Sequence, residues 1–207
     1  MEFITNPKIE EYLYNLASIE DPVLLKMEEL GHKLNFPIVD RLVGRYLYLI
    51  TKIKQPKLIV EVGSGFGYSG YWFAKALTDG KVVLTDYREE NIQIAKRFFK
   101  EGGILDKAEF HVGNGVDIAR KYKNIDILFL DHEKKKYKEA VEILMPNINK
   151  NALIIADNTL WHGKVIDENP DLTTQAIKEF NEYMFNNPKF FSTLIPLRDG
   201  VLTALKL

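Results

Sequence analysis

The sequence predicts an α/β protein: a Rossmann-like, seven-stranded, mostly parallel sheet with an N-terminal helical segment and a C-terminal antiparallel hairpin. Three observations predict it. From Lys57 onward, short strand-like apolar runs alternate with stretches of helical periodicity, the pattern of βαβ units. Two of those runs, Ile127-Leu128-Phe129-Leu130 and Leu153-Ile154-Ile155-Ala156, are apolar throughout, as strands covered on both faces are. Near the end, Asp199-Gly200 separates the strand-like runs Phe190–Pro196 and Val201–Leu207, a hairpin signal.

The elements follow in order. Ile9, Tyr12, Leu13 and Leu16 recur at helical spacing, Asp21-Pro22 restarts a helix that Asn35-Phe36-Pro37 breaks, and Val39, Leu42, Val43, Tyr46, Leu47 and Ile50 line a third. The apolar faces of residues 9–50 suit either dimerisation or cover for the sheet. Strands are expected near 57–62, 81–86, 108–113, 125–131 and 151–157. Helices are expected near 68–78, 89–101, 115–121, 134–145 and 171–187. Tyr71, Trp72 and Phe73 read as core-facing helix residues. The whole, 1–207, reads as one domain, with 1–55 the helical segment and 56–207 the Rossmann-like core.

Composition narrows the class. Hydrophobic residues make up 46% and charged residues 28% of the chain, as in a globular protein, and the net charge is −1. That balance does not favour a nucleic-acid or anionic-membrane partner, though Lys134-Lys135-Lys136 is a local basic cluster. With no cysteine there is no disulfide, thiolate metal site or cysteine nucleophile. The start, Met1 to Pro7, lacks the basic and apolar regions of a signal peptide, and no apolar run nears the ~18 residues of a membrane helix. A cytoplasmic enzyme is the expectation.

Chemistry concentrates at strand ends. Leu58-Ile59-Val60-Glu61-Val62 runs into Gly63-Ser64-Gly65-Phe66-Gly67, then a helix, so a ligand can approach the backbone at a helix start. The next strand ends in Asp86, 23 residues after Gly63 (86 − 63), placed to accept hydrogen bonds from a ribose diol. The dinucleotide spacing G-x-G-x-x-G fails when counted from Gly63 and fits only two residues late, from Gly65. Asp131, Asp157 and Asn158 follow the two apolar strands, at the edge where open α/β sheets bind ligands. Two carboxylates and an amide oxygen there form a hard-cation donor set, although an Asp or Asn after a strand also serves as a helix cap.

These motifs together resemble the divalent-cation-dependent O-methyltransferases, the group containing catechol and caffeoyl-CoA O-methyltransferases. The resemblance covers roughly residues 35–207. It rests on Glu61-x-Gly63-x-Gly65-x-Gly67, Gly67-Tyr68-Ser69, Asp86, Asp131-His132-Glu133-Lys134 with Tyr137, Asp157-Asn158-Thr159-Leu160-Trp161, and Pro196-Leu197-Arg198-Asp199-Gly200.

It implies S-adenosylmethionine as cofactor, with Glu61, Gly63 and Ser69 around its methionine part and Asp86 on the ribose. Gly115 and His132 would lie near the adenine, and Val39 would help cover the site. It implies a Mg²⁺ or similar cation on Asp131, Asp157 and Asn158, with Asp131 facing both metal and cofactor, and Lys134 as general base. A lysine in this role needs the metal charge and desolvation to release its proton; in a charge run, Lys134 could equally be a solvated helix start. His132 could instead be a partly buried histidine bonded to a carbonyl. Trp161 and His162 either line the acceptor pocket or, for Trp161, pack the loop.

Two departures bear on the acceptor. Thr193 stands near the position where catechol-specific enzymes carry an acid, and His162 replaces an asparagine of the plant caffeoyl-CoA enzymes. The short N-terminal region shows no obvious coenzyme A site. The expected acceptor is a catechol-like small molecule, with a hydroxylated tRNA nucleoside the less favoured alternative and a homodimer the expected assembly. Readings from other classes are an NAD-type oxidoreductase, which has no use for Asp157-Asn158, and a non-catalytic nucleotide-binding module.

Overall fold

Side-chain caps set the three N-terminal helices, α1 (Pro7–Leu16), α2 (Pro22–Leu34) and α3 (Arg41–Lys54). Asn6, Asp21 and Asp40 accept from the backbone N–H of Lys8 (3.0 Å), Val23 (2.9 Å) and Val43 (2.9 Å), and proline opens the first two helices. The structure, a computed structural model, describes residues 4–207. Met1 to Phe3, part of the stretch read as lacking a signal peptide, lie outside the described residues. Among the described residues no helix is long and apolar enough to cross a membrane.

Strands and helices then alternate: β1 (Leu58–Val62), α4 (Tyr68–Ala76), β2 (Lys81–Asp86), α5 (Glu89–Glu101), β3 (Ala108–Val112), α6 (Gly115–Ala119), β4 (Ile125–Leu130), α7 (Tyr137–Leu144), β5 (Ile148–Ala156), α8 (Leu172–Asn186), β6 (Phe190–Ile195) and β7 (Val201–Lys206). The seven strands form one sheet in the order β3-β2-β1-β4-β5-β7-β6, in which β7 alone runs against the others. The apolar strands are buried on both faces, as their composition predicts. Ile59, Phe129 and Ile155 join the core under α2 to α5, while Val60, Leu128 and Ile154 join the core under α7 and α8. Tyr71, Trp72 and Phe73 are core residues.

Several boundaries differ from the sequence expectation, and three have a visible local cause. α6 stops at Ala119 rather than 121, because Lys121 and Tyr122 close i→i−3 bonds onto Ile118 and Ala119. The helix expected over 134–145 begins as a 3₁₀ turn, Lys134–Lys136, before α7. β5 starts at Ile148 rather than 151; Asn151, in left-handed backbone at φ 61°, marks a register shift that the polar run Asn149-Lys150-Asn151 concealed. Among the described residues the apolar face of α1 stays largely uncovered: Ile9, Tyr12 and Leu16 are each more than half exposed.

The strand order reverses at β1, which pairs β2 on one side and β4 on the other. A crevice opens at such a switch point, outside the carboxyl ends of the strands. That places the residues after β1, β2, β4 and β5 around one space.

Candidate active site

A cavity of about 620 Å³ occupies this crevice. Two glycines keep it open. Gly63 has φ 89°, and a Cβ there would lie 2.5 Å from the carbonyl oxygen of Asp131, which is tied to β1 by its N–H donating to Val62 O (3.0 Å). At Gly115 a Cβ would lie 2.5 Å from Thr85 Oγ1 and 2.8 Å from Val62 Cγ1. Only glycine lets the strand tips approach this closely beside open space.

Asp86 braces the glycine turn. Its Oδ2 accepts from Gly65 N–H (3.1 Å), and its Oδ1 accepts from Arg88 N–H (2.8 Å) and Asn91 Nδ2 (3.0 Å). Those donors take three of a carboxylate's roughly four acceptor positions. A ligand hydroxyl therefore has room on Oδ2.

Glu61 is the one predicted site residue that does not line the cavity. It is fully buried beneath the turn, where Ser69 Oγ donates to its Oε1 and its Oε2 has no partner. Burial pushes its carboxyl up to about 8, against the ordinary 4.5, and the charges of Asp131 and Asp86 act in the same direction. Below about pH 8 the folded state keeps this proton, while the unfolded chain loses it above about 4.5. Unfolding thus releases a proton between those values, and stability falls as pH rises, by up to ~1.4 kcal/mol per pH unit. Glu61→Gln should flatten that decline: urea denaturation at pH 5 and pH 8 should show the variant losing less stability than the wild type, and equal losses would contradict it.

All the other predicted site residues line the cavity: Val39, Gly63, Ser69, Asp86, Gly115, Asp131, His132, Lys134, Asp157, Asn158, Trp161 and His162. His132 is neutral, its basicity lowered to about 4 chiefly by burial, and neither ring nitrogen has a protein partner.

The acids sit where β4 and β5 end. Asp157, 1% exposed, has an unpartnered Oδ1, and burial, followed by the charge of Asp131, pushes its carboxyl well above the usual range. Asn158 follows in left-handed backbone (φ 59°). Lys134 Nζ donates to Asp131 Oδ1 at 2.7 Å, from the 3₁₀ turn. The lysine run therefore divides: Lys134 is 12% exposed and faces Asp131, whereas Lys136 is 54% exposed and pairs with Glu133. Among the described residues no three His, Asp or Glu side chains form a metal cage; the oxygen donors here are two carboxylates and one amide.

Sequence reasoning missed the residues that roof this group. Arg198, in the β6–β7 loop, lies 4.0 Å from Asp157 Oδ2 and 4.0 Å from Asp40 Oδ2, so it bridges the acids to the cap of α3. Phe36 and Pro37, from the segment read as a helix break, form one wall with Ile38, and Tyr68 lines the cavity while donating to Glu28 (2.6 Å). The Asp199-Gly200 signal announced a turn, but only the β5–β7 register, Ala156 against Leu202, brings Arg198 over Asp157.

Known proteins match this arrangement along nearly the whole chain. A family profile described as O-methyltransferase matches residues 16–207, further upstream than the motif-bearing part. "Catechol O-methyltransferase" of Niastella koreensis is 26% identical over 198 residues, covering 91% of this chain and 90% of that protein. A methyltransferase of Geobacter sulfurreducens superposes with a TM-score of 0.87 at 36% identity, over 99% of this chain and 100% of that one. The O-methyltransferase TomG of Streptomyces achromogenes, solved in complex with SAM, superposes with a TM-score of 0.86 at 26% identity over 96% of both chains. With its parallel sheet, glycine turn and acid-tipped strands, the chain belongs to the O-methyltransferase family of enzymes.

Proposed function

We propose that the protein transfers a methyl group from S-adenosylmethionine to a hydroxyl of a catechol-like small molecule, with a divalent cation such as Mg²⁺ in the same cavity. The observation that carries this reading is the juxtaposition in one 620 Å³ cavity of the glycine turn with Asp86 on one side and Asp131, Asp157 and Asn158 on the other. That volume suits a nucleoside cofactor beside a small acceptor. The SAM bound to TomG, a relative of the same fold, supports the choice of donor.

The donor set fits a hard cation. Asp131, Asp157 and Asn158 would hold it: all three offer oxygen, and the buried Oδ1 of Asp157 has no hydrogen-bond partner in the protein. When bound, adenosylmethionine supplies a methyl on a sulfonium and the cation supplies Lewis acidity toward the acceptor oxygen.

The chain's own residues do the rest. Asp86 would take a ribose hydroxyl, Ser69 and Gly63 would border the methionine part, and neutral His132 would border the adenine with Gly115. Val39 would help cover the cofactor, and Trp161 and His162 would line the acceptor side. Lys134, held on Asp131, is placed to take the acceptor's proton once it has released its own to solvent. Arg198, 4.0 Å from Asp157 Oδ2, supplies positive charge beside that acid. Assembly as a homodimer is supported by the uncovered apolar face of α1.

Ligand-induced stabilisation separates this reading from an oxidoreductase. Adenosylmethionine and adenosylhomocysteine should each raise Tm, and NAD should not; stabilisation by NAD alone would overturn it.

A further inference from the structure

The loop after β5 carries a strained turn that the proposed reaction leaves unexplained. Trp161 and His162 hold left-handed backbone at φ 47° and 56°, and Gly163 follows at 79°. Such strain persists only where the surroundings enforce it. One side chain from the β6–β7 loop does so. Asp199, 5% exposed, accepts the His162 backbone N–H on Oδ1, while its own backbone oxygen accepts from Leu160 N–H at 2.9 Å.

The second carboxylate oxygen is the anomaly. Asp199 Oδ2 is buried and has no hydrogen-bond partner, yet His162 Nδ1 lies 3.7 Å away. An unpaired buried carboxylate oxygen is costly, and a small rotation of the half-exposed imidazole would bring Nδ1–H onto it.

We propose that Asp199 is a positioning residue that fixes His162 as the Nδ1–H tautomer, making Nε2 a committed hydrogen-bond acceptor in the acceptor pocket. In a neutral imidazole one nitrogen donates and the other accepts, so the bond made by Nδ1 dictates the role of Nε2. The substrate class narrows accordingly. Besides its reacting oxygen, the acceptor presents an O–H or N–H donor to His162, and an analogue with an ether or methyl there binds less well. This rests on the acceptor pocket proposed above, and it assigns to His162 a chemical preference that lining the pocket does not by itself imply.

Long-range ¹H–¹⁵N correlation on the ¹⁵N-labelled protein at pH 8 reads the tautomer without any turnover. His162 should carry its proton on Nδ1 in the wild type and on Nε2 in Asp199→Asn, whose amide N–H would face Nδ1. A proton on Nε2 in the wild type, or a tautomer unmoved by Asp199→Asn, overturns the proposal. Kinetics supply the second arm, with 3,4-dihydroxybenzoate as acceptor. His162→Ala should lower kcat/KM by roughly threefold to tenfold, and His162→Gln, whose amide oxygen accepts, should restore most of it. Adding Asp199→Asn to His162→Ala should cost nothing further, because both remove one interaction; additive losses overturn the proposal. If the wild type methylates no catechol, the proposed function fails while the tautomer result still decides this inference.

Discussion

Asp157→Ala should abolish metal-dependent methyl transfer and leave adenosylmethionine binding nearly untouched. Asp157 is buried at the end of β5 with one oxygen unpartnered, and the charges around it are those of Asp131, Lys134 and, at 4.0 Å, Arg198. No residue of the glycine turn bonds to it, so the donor side of the cavity has no stake in its carboxylate. Lewis-acid assistance is worth several kcal/mol at the transition state, so turnover should fall on the order of 10³-fold. The stability of the unliganded protein should hold or rise, since the variant removes a buried acid that burial and a like charge both disfavour. Titration calorimetry with adenosylmethionine, a turnover assay and thermal denaturation check the three parts. Undiminished turnover would end the case for a metal at this position.

Gly63→Ala should damage fold and site together. The new methyl would enter left-handed backbone at φ 89° and meet the Asp131 carbonyl oxygen at 2.5 Å and its carbon at 2.8 Å. Neither is the end of a flexible side chain; both belong to the strand pair that sets the switch point. Strain and overpacking together should cost about 2–4 kcal/mol, a fall in Tm of roughly 5–15 °C. Relief by spreading β1 from β4 would displace Asp131, and a displacement near 1 Å can cost roughly 100-fold in rate. Gly103→Ala is the control: it too has positive φ (67°), but nothing lies within 4 Å of a Cβ there, so only the smaller backbone strain should appear. Equal effects at the two glycines would show that the contact with Asp131 is unimportant.

Much of this site was legible because strand ends converge whatever the intervening sequence. Runs such as Ile127–Leu130 reveal a strand buried on both faces, and the residue after such a strand stands at the ligand edge. That places Asp131, Asp157 and Asn158 without any coordinates, and Gly63 with Asp86 follows from the same logic. What remained hidden depends on register and depth. Arg198 reaches Asp157 only through the antiparallel pairing of β5 with β7. Lys134 and Lys136 look alike in sequence, and the 3₁₀ turn buries the first and exposes the second. Glu61 alternates on its strand with residues of the core, so its place beneath the turn rather than in the cavity is a matter of depth that spacing does not convey. Asp199 was visible as half of a turn signal, whereas its grip on His162 joins residues 37 apart in the chain.

The most direct test follows methyl-labelled adenosylmethionine incubated with the purified protein and 3,4-dihydroxybenzoate, with Mg²⁺ or with excess chelator. A labelled mono-O-methylated product formed with Mg²⁺ and lost with chelator is the predicted result. Transfer that proceeds undiminished in chelator would contradict the account.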